Sequence, residues 1–145
     1  MTQRLPAGKY YIGDPCYVFN DKTWDHLNEV HWDSMSTGEI FEHGGGQVWM
    51  HTTKFGDGVY DDQNGTEYGV DSGLIGIVPI ALIEDPAGEE NGTILEFARG
   101  VTVSYDNGTF YIGNITIKTN SDIDLDFDED EVDGGYGDAD NDRFI

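Results

Sequence analysis

The sequence predicts a mainly β fold with a minor α component: a small antiparallel barrel or sandwich over residues 1–128, one short helix near residues 21–30, and an acidic, partly disordered tail over residues 129–145. Three observations carry this. Two Asn-Gly pairs, Asn64-Gly65 and Asn107-Gly108, each lie between alternating apolar and polar residues, the strongest short-range signal of a β-hairpin. Only Asp21–Val30 sets apolar residues at helical spacing, at Trp24, Leu27 and Val30. Past Asp128 the periodicity stops, and Val132 and Tyr136 are the only large apolar residues before Phe144-Ile145, too little to offset the entropy of ordering.

In chain order, residues 9–12 read as a strand that runs into the turn Gly13-Asp14-Pro15. The helix follows, with Asn20 or Asp21 as cap and a length of about three turns. Residues 34–46 read as a loop, whose Gly44-Gly45-Gly46 run permits positive φ and predicts mobility. Residues 47–53 are a further strand. A two-residue turn at Asn64-Gly65 pairs Gln63 with Thr66, Asp61 with Tyr68, Val59 with Val70 and Asp57 with Ser72. Leu74–Pro79 is nearly all apolar and reads as a central core strand ending at proline. Residues 84–92 read as a loop and 93–98 as a strand. Around Asn107-Gly108 a type I′ turn sets Tyr105 opposite Phe110 and Val103 opposite Ile112, and an extra residue at Gly113 predicts a bulge that brings Ile115 into phase. A weaker strand is expected at 123–127.

Charge constrains the partners. The chain holds 29 Asp and Glu against 7 Lys and Arg, a formal charge of -22 on 145 residues. Such a field repels nucleic acid and anionic membranes and attracts cations and basic protein surfaces. No apolar run approaches the roughly 20 residues that span a bilayer, and the single Cys16 fits a reducing compartment. The expected location is cytoplasmic, that of the host cell if the protein is viral. The sequons at Asn91, Asn107 and Asn114 read as turn and strand residues. Seven Phe, eight Tyr and three Trp supply enough apolar area for one folded core.

Four constellations are candidates for chemistry. Asp14 and Cys16, beside a strand end, can line a cleft with Asp57 and Ser72. A nucleophilic Cys needs a nearby cation or base, and no spacing selects among His26, His31, His43 and His51, while Asp14 opposes thiolate formation. Cys16 therefore reads as a buried structural residue, slow toward thiol reagents. Secondly, the expected register sets Asp62 opposite Glu67, a like-charge pair, with Asp71 about 13 Å along the strand and too far to complete a coordination sphere.

Thirdly, Asp138, Asp140 and Asp142 have the opening of a calcium loop, but Arg143 stands where glycine belongs. They are weak candidates as cation ligands, and no dedicated metal site or cofactor is expected. Lastly, alternation in the 122–128 segment places Asp122, Asp124, Asp126 and Asp128 on one side, about 6.6 Å apart, with Ile123, Leu125 and Phe127 on the other. Such a row suits a basic groove that tracks phosphates, or it protects a sheet edge from aggregation.

The segments Gly13-Asp14-Pro15-Cys16-Tyr17, Gly56-Asp57-Gly58 and Val70-Asp71-Ser72-Gly73 resemble those of uncharacterised small acidic proteins from bacteriophages and bacteria, over roughly residues 8–80. The resemblance implies a viral or mobile-element origin. It transfers no activity and does not include the acidic tail.

The leading expectation is an acidic, phage-type binding or inhibitor protein that engages a basic surface on a host nucleic-acid-binding or defence protein by charge mimicry, without contacting nucleic acid or membrane. The alternatives are a small hydrolase-like enzyme with a cleft at Asp14, Cys16, Asp57 and Ser72, and a virion structural or assembly component that forms homo-oligomers.

Overall fold

In the computed structural model, which describes residues 2–119, the apolar run at Leu74–Pro79 is the middle strand of a five-stranded antiparallel sheet. In chain order the elements are β1 (Gln3–Leu5), β2 (Gly8–Gly13), a 3-10 turn (Pro15–Tyr17), α1 (Asp21–Val30), α2 (Trp32–Thr37), β3 (Phe41–His43), β4 (Gly46–Thr52), β5 (Gly58–Asp61), β6 (Glu67–Val70) and β7 (Leu74–Pro79), followed by 3-10 turns (Ile80–Leu82 and Pro86–Asn91), β8 (Thr93–Phe97), β9 (Val101–Asp106), β10 (Thr109–Ile112) and β11 (Ile115–Lys118). The strands form a sheet in the order β3-β4-β7-β2-β8, a second sheet β1-β9-β10-β11, and the hairpin β5-β6. An isolated bridge between Asp62 and Ile117 joins that hairpin to the second sheet.

The two faces of β7 explain its continuous hydrophobicity. Ile75 and Ile77 enter one core with Ile12 and Trp49 from the same sheet and Val103, Phe110 and Ile117 from the second sheet. Leu74 and Val78 enter another with Leu27 and Met35 from the helices. The molecule is thus layered: sheet on sheet, with helices over the outer face of the larger sheet. A strand covered on both faces cannot alternate with polar residues, and each isoleucine so buried is favoured by about 1.5–3 kcal/mol over exposure. The predicted β class, the helix near 21–30 and the strands at 9–12, 47–53, 74–79 and 93–98 are all present within a residue or two.

The differences have local causes. The first hairpin has the expected register, Tyr105 opposite Phe110 and Val103 opposite Ile112, with Asn107 at φ 48° and Gly108 at φ 91°. At Gly113 the chain reverses instead of bulging: Ile112 pairs with Ile115 across a two-residue turn, with Gly113 at φ 59° in the first central position that a type II′ turn reserves for glycine.

At Asn64-Gly65 the register is shifted by one from the expected pairing, so that Asp61 faces Glu67 and Tyr60 faces Tyr68. The loop here is Gln63-Asn64-Gly65, closed by Gly65 N–H donating to the Asp62 carbonyl at 3.1 Å and by Asp62 N–H donating to the Thr66 carbonyl at 3.0 Å. The left-handed Gly65, at φ 83°, absorbs the extra residue as in a three-residue hairpin loop.

Two expected loops are ordered. Within 34–46, α2 is anchored by the buried Met35 and ends at Gly38, φ 76°, whose N–H and that of Glu39 both donate to the Ser34 carbonyl at 2.9 Å. The same segment supplies β3, and Gly44-Gly45 is its tight turn into β4, since His43 pairs with Gly46. The 84–92 segment carries the 3-10 turn Pro86–Asn91, capped by the Asp85 side chain, which accepts from Ala87 N–H at 3.2 Å. In α1, Asn20 accepts from Thr23 N–H at 2.8 Å as its cap. Leu27 is buried but Val30 is exposed, so the helix docks chiefly through its middle turn.

Candidate functional site

β2 ends at Gly13, and Asp14-Pro15 starts the 3-10 turn that carries Cys16 and Tyr17. Proline suits the first helical position because it has no N–H to leave unpaired there, and aspartate caps it: Asp14 Oδ1 accepts from Cys16 N–H at 2.9 Å. The same carboxylate, fully buried, accepts at Oδ2 from Asp71 N–H at 2.6 Å and Ser72 N–H at 2.8 Å, and at Oδ1 from Ser72 Oγ at 2.7 Å. Four donors account for a buried charge that would otherwise be costly. Tyr11 OH donates to the Asp14 carbonyl at 3.0 Å, completing the corner.

Asp14, Cys16 and Ser72 are therefore brought together as the sequence suggested, although by an anchor between β2 and the β6–β7 loop rather than by an open cleft. Cys16 is half-buried, less enclosed than expected of a structural thiol. Burial, then the Asp14 charge and its hydrogen bond, push the thiol up to about 12. Ser72 opposes the shift weakly, and no histidine is among the groups acting on it. At neutral pH this sulfur is a protonated thiol, the opposite of an activated nucleophile. Asp14, with its lone pairs engaged by four donors, is poorly placed to abstract a proton.

Asp57 is exposed and does not face Ser72. Continuing the β5-β6 register beyond Gly58 and Val70 sets it level with Asp71. Tyr60, Tyr68 and Val70 are buried on one side of this hairpin, so Val59, Asp61, Glu67 and Gly69 lie on the other. Asp61 and Glu67 are paired directly, Val59 is 41% exposed beside Gly69, and Asp57 and Asp71 flank them. Tyr17 reaches over this face: a methyl placed on Gly69 would lie 3.9 Å from its hydroxyl. Burial and then Asp71 raise the Tyr17 pKa, with Asp57 also contributing. The outcome is a surface of four carboxylates around a tyrosine and a valine.

Asp62 is not the partner of Glu67. It turns inward, 7% exposed, and accepts from Asn64 N–H at 2.8 Å, Thr66 N–H at 3.1 Å and Tyr68 OH at 2.8 Å. The like-charge pairing expected of it falls on Asp61. Among the described residues there is no cluster of three or more His, Cys, Asp or Glu able to hold a metal ion. None of their helices is long and apolar enough to cross a membrane. Asp122, Asp124, Asp126 and Asp128, the strand at 123–127, and the weak cation candidates Asp138, Asp140 and Asp142 lie outside the described residues.

No protein-family model, curated protein or solved structure matches the chain. The surface at β5-β6 must therefore be read from its own chemistry. Sequence reasoning named Asp57 but missed its partnership with Asp71 and the part of Tyr17. The available signal was strand parity, because Tyr60, Tyr68 and Val70 on one face force Asp61, Glu67 and Gly69 onto the other.

Proposed function

We propose that this protein binds a basic surface on a protein partner through the carboxylate face of β5-β6, supplemented by the acidic residues Asp122, Asp124, Asp126 and Asp128. The observation that carries the reading is the direct pairing of Asp61 with Glu67, flanked by Asp57 and Asp71, in a chain of charge -22. Like charges directly opposite on a sheet are destabilising, and a Lys- or Arg-rich surface relieves their repulsion on docking. Tyr17 and Val59 supply the apolar contact that carries affinity, since exposed ion pairs contribute only about 0–1 kcal/mol each. Charge mimicry of a phosphate backbone favours a nucleic-acid-binding or defence protein as the partner, whose phosphate-tracking groove the carboxylates would occupy.

The test is affinity capture from host lysate at low and high salt, with the parent chain beside a variant carrying Asp57→Asn, Asp61→Asn, Glu67→Gln and Asp71→Asn. A partner retained by the parent at low salt, released at high salt and lost by the folded variant is expected, because such contacts are screened within about 8–10 Å. A partner held equally by both, or held independently of salt, would overturn the reading.

A further inference from the structure

The opposite end of the five-stranded sheet carries a second feature, independent of the basic-partner reading. Where β2 begins, β4 begins and β7 ends, a cleft of about 430 Å³ opens between the β1–β2 turn, the Gly44-Gly45-Gly46 turn and the 3-10 turn after β7. That volume lies within the usual range of small-ligand sites, roughly 300–1,000 Å³. Its walls are mainly apolar, from Pro6, Pro79, Ile80 and Leu82.

The charge of this cleft is unlike that of the rest of the chain. None of its lining residues is acidic, although the sequence has 29 Asp and Glu, and Lys9 stands at its wall. The Lys9 ammonium makes no hydrogen bond or ion pair among the described residues. Glu96 faces it across the β2-β8 register and Glu42 faces Gln47 across β3-β4, yet neither lines the cleft. Tyr10 OH is already engaged, donating to the Pro6 carbonyl at 2.7 Å, so the Lys9 ammonium and the Gln47 amide are the side-chain polar groups left for a ligand.

The glycine run keeps the cleft open. Gly44 and Gly45 need their left-handed φ of 60° and 84° for the hairpin turn, but Gly46 does not. At Gly46 the reason is space, since a methyl there would lie 3.2 Å from Leu82 Cδ1 and 3.4 Å from Pro79 Cγ. Any larger side chain would occupy the cleft.

We propose that this cleft binds a small amphipathic carboxylate, its aliphatic or aromatic body against Leu82, Ile80 and Pro79 and its anionic head on Lys9. Apolar walls provide the transfer free energy of the body, and a single unpaired cation selects the sign of the head. At physiological ionic strength carboxylates farther than about 8 Å are screened, which leaves Glu96, directly opposite Lys9 across β2-β8, as an acid with which the ligand's head would compete for the ammonium.

The experiment is a proton–nitrogen NMR titration of the full chain with octanoate, octanol and octylammonium. Saturable shifts for octanoate at the Gly8, Gly44, Gly45 and Gly46 amides are expected, with the Asp71 and Ser72 amides unmoved. Octanol should bind about threefold to fivefold more weakly, the worth of one exposed ion pair, and octylammonium weaker still. Lys9→Met should reduce octanoate to the affinity of octanol, and Gly46→Leu should abolish both. Lys9 is exposed, so its variant tests the proposal even if Gly46→Leu disturbs the hairpin. Equal binding of the three probes, shifts away from the cleft, or no saturable shift at all would overturn it.

Discussion

Ser72 donates twice to Asp14, from its N–H at 2.8 Å and its Oγ at 2.7 Å, although 58 positions separate the two in the chain. This pair fixes the loop between β6 and β7 to the end of β2, and so sets the height of Asp71 and Tyr17 over the β5-β6 hairpin. The acidic surface thus depends on a buried acid that is not part of it.

Replacing that acid should be costly. Asp14→Asn leaves one acceptor oxygen for four donors and presents an amide to the others, so a loss of about 2–4 kcal/mol is expected. Ser72→Ala removes a single donor and should cost about 1–2 kcal/mol. In urea denaturation the double variant should lose less than the sum of the two, because both act on one contact. Additive losses, or an Asp14→Asn cost below 1 kcal/mol, would show that the anchor does not hold the loop.

Cys16 should react slowly. With the thiol raised from an ordinary 9.0 to about 12, its thiolate fraction at pH 8 falls by at least about a hundredfold, and modification should slow accordingly until the chain is unfolded in denaturant. The folded state holds this proton more tightly than the unfolded state. Its contribution to stability is therefore complete below pH 9 and is lost as pH rises from 9 toward 12. Cys16→Ser should flatten that alkaline slope in a pH series of melts. Fast labelling of the native protein at pH 8 would refute the assignment.

Gly88 and Gly56 separate two reasons for glycine. A methyl on Gly88 would lie 1.8 Å from the Tyr17 carbonyl oxygen, a backbone collision that cannot relax cheaply, so Gly88→Ala should cost about 3 kcal/mol or more. Gly56 has φ 76° and open space around it, so Gly56→Ala should cost only about 1–2 kcal/mol, for the backbone conformation alone. Thermal melts of the two variants give the order directly. The reverse order would mean that the Pro86–Asn91 turn does not press on Tyr17 as described.

Much of the framework was legible because local chemistry and tertiary need agree. Asn107-Gly108 fits a two-residue turn with both residues at positive φ, and the register of its hairpin follows. Asn64-Gly65 is the same dipeptide, but only its glycine is left-handed, and a one-residue difference in loop length moved every pairing. What decides between them is the inward Asp62, held by the hydroxyl of Tyr68, a tertiary fact without a local signature. α1 was readable from its Asn20 cap and three spaced apolar residues. α2 rests on the single buried Met35 and a glycine stop, too little periodicity to see. The convergence of Asp14, Cys16 and Ser72 follows from strand ends, whereas its chemistry does not, since two of the four donors to Asp14 are backbone N–H groups of a distant loop.

The Asp61–Glu67 pair offers a test that links stability to the proposed role. If these carboxylates served the fold, exchanging one for a cation would weaken the hairpin. Cross-strand statistics argue the reverse: like charges directly opposite are unfavourable, and an opposite pair contributes about 0.2–1 kcal/mol. Glu67→Lys should therefore raise stability by about 0.5–1 kcal/mol, with the effect shrinking as salt is added. The same substitution places a positive charge at the centre of the surface proposed to meet a basic partner. There it exchanges one attraction for one repulsion, and association should slow more than dissociation changes. Tm and capture should then move in opposite directions, a stability–function conflict of the kind expected where charge is kept for binding. A variant that is both more stable and equally well captured would place the contact surface elsewhere on the molecule.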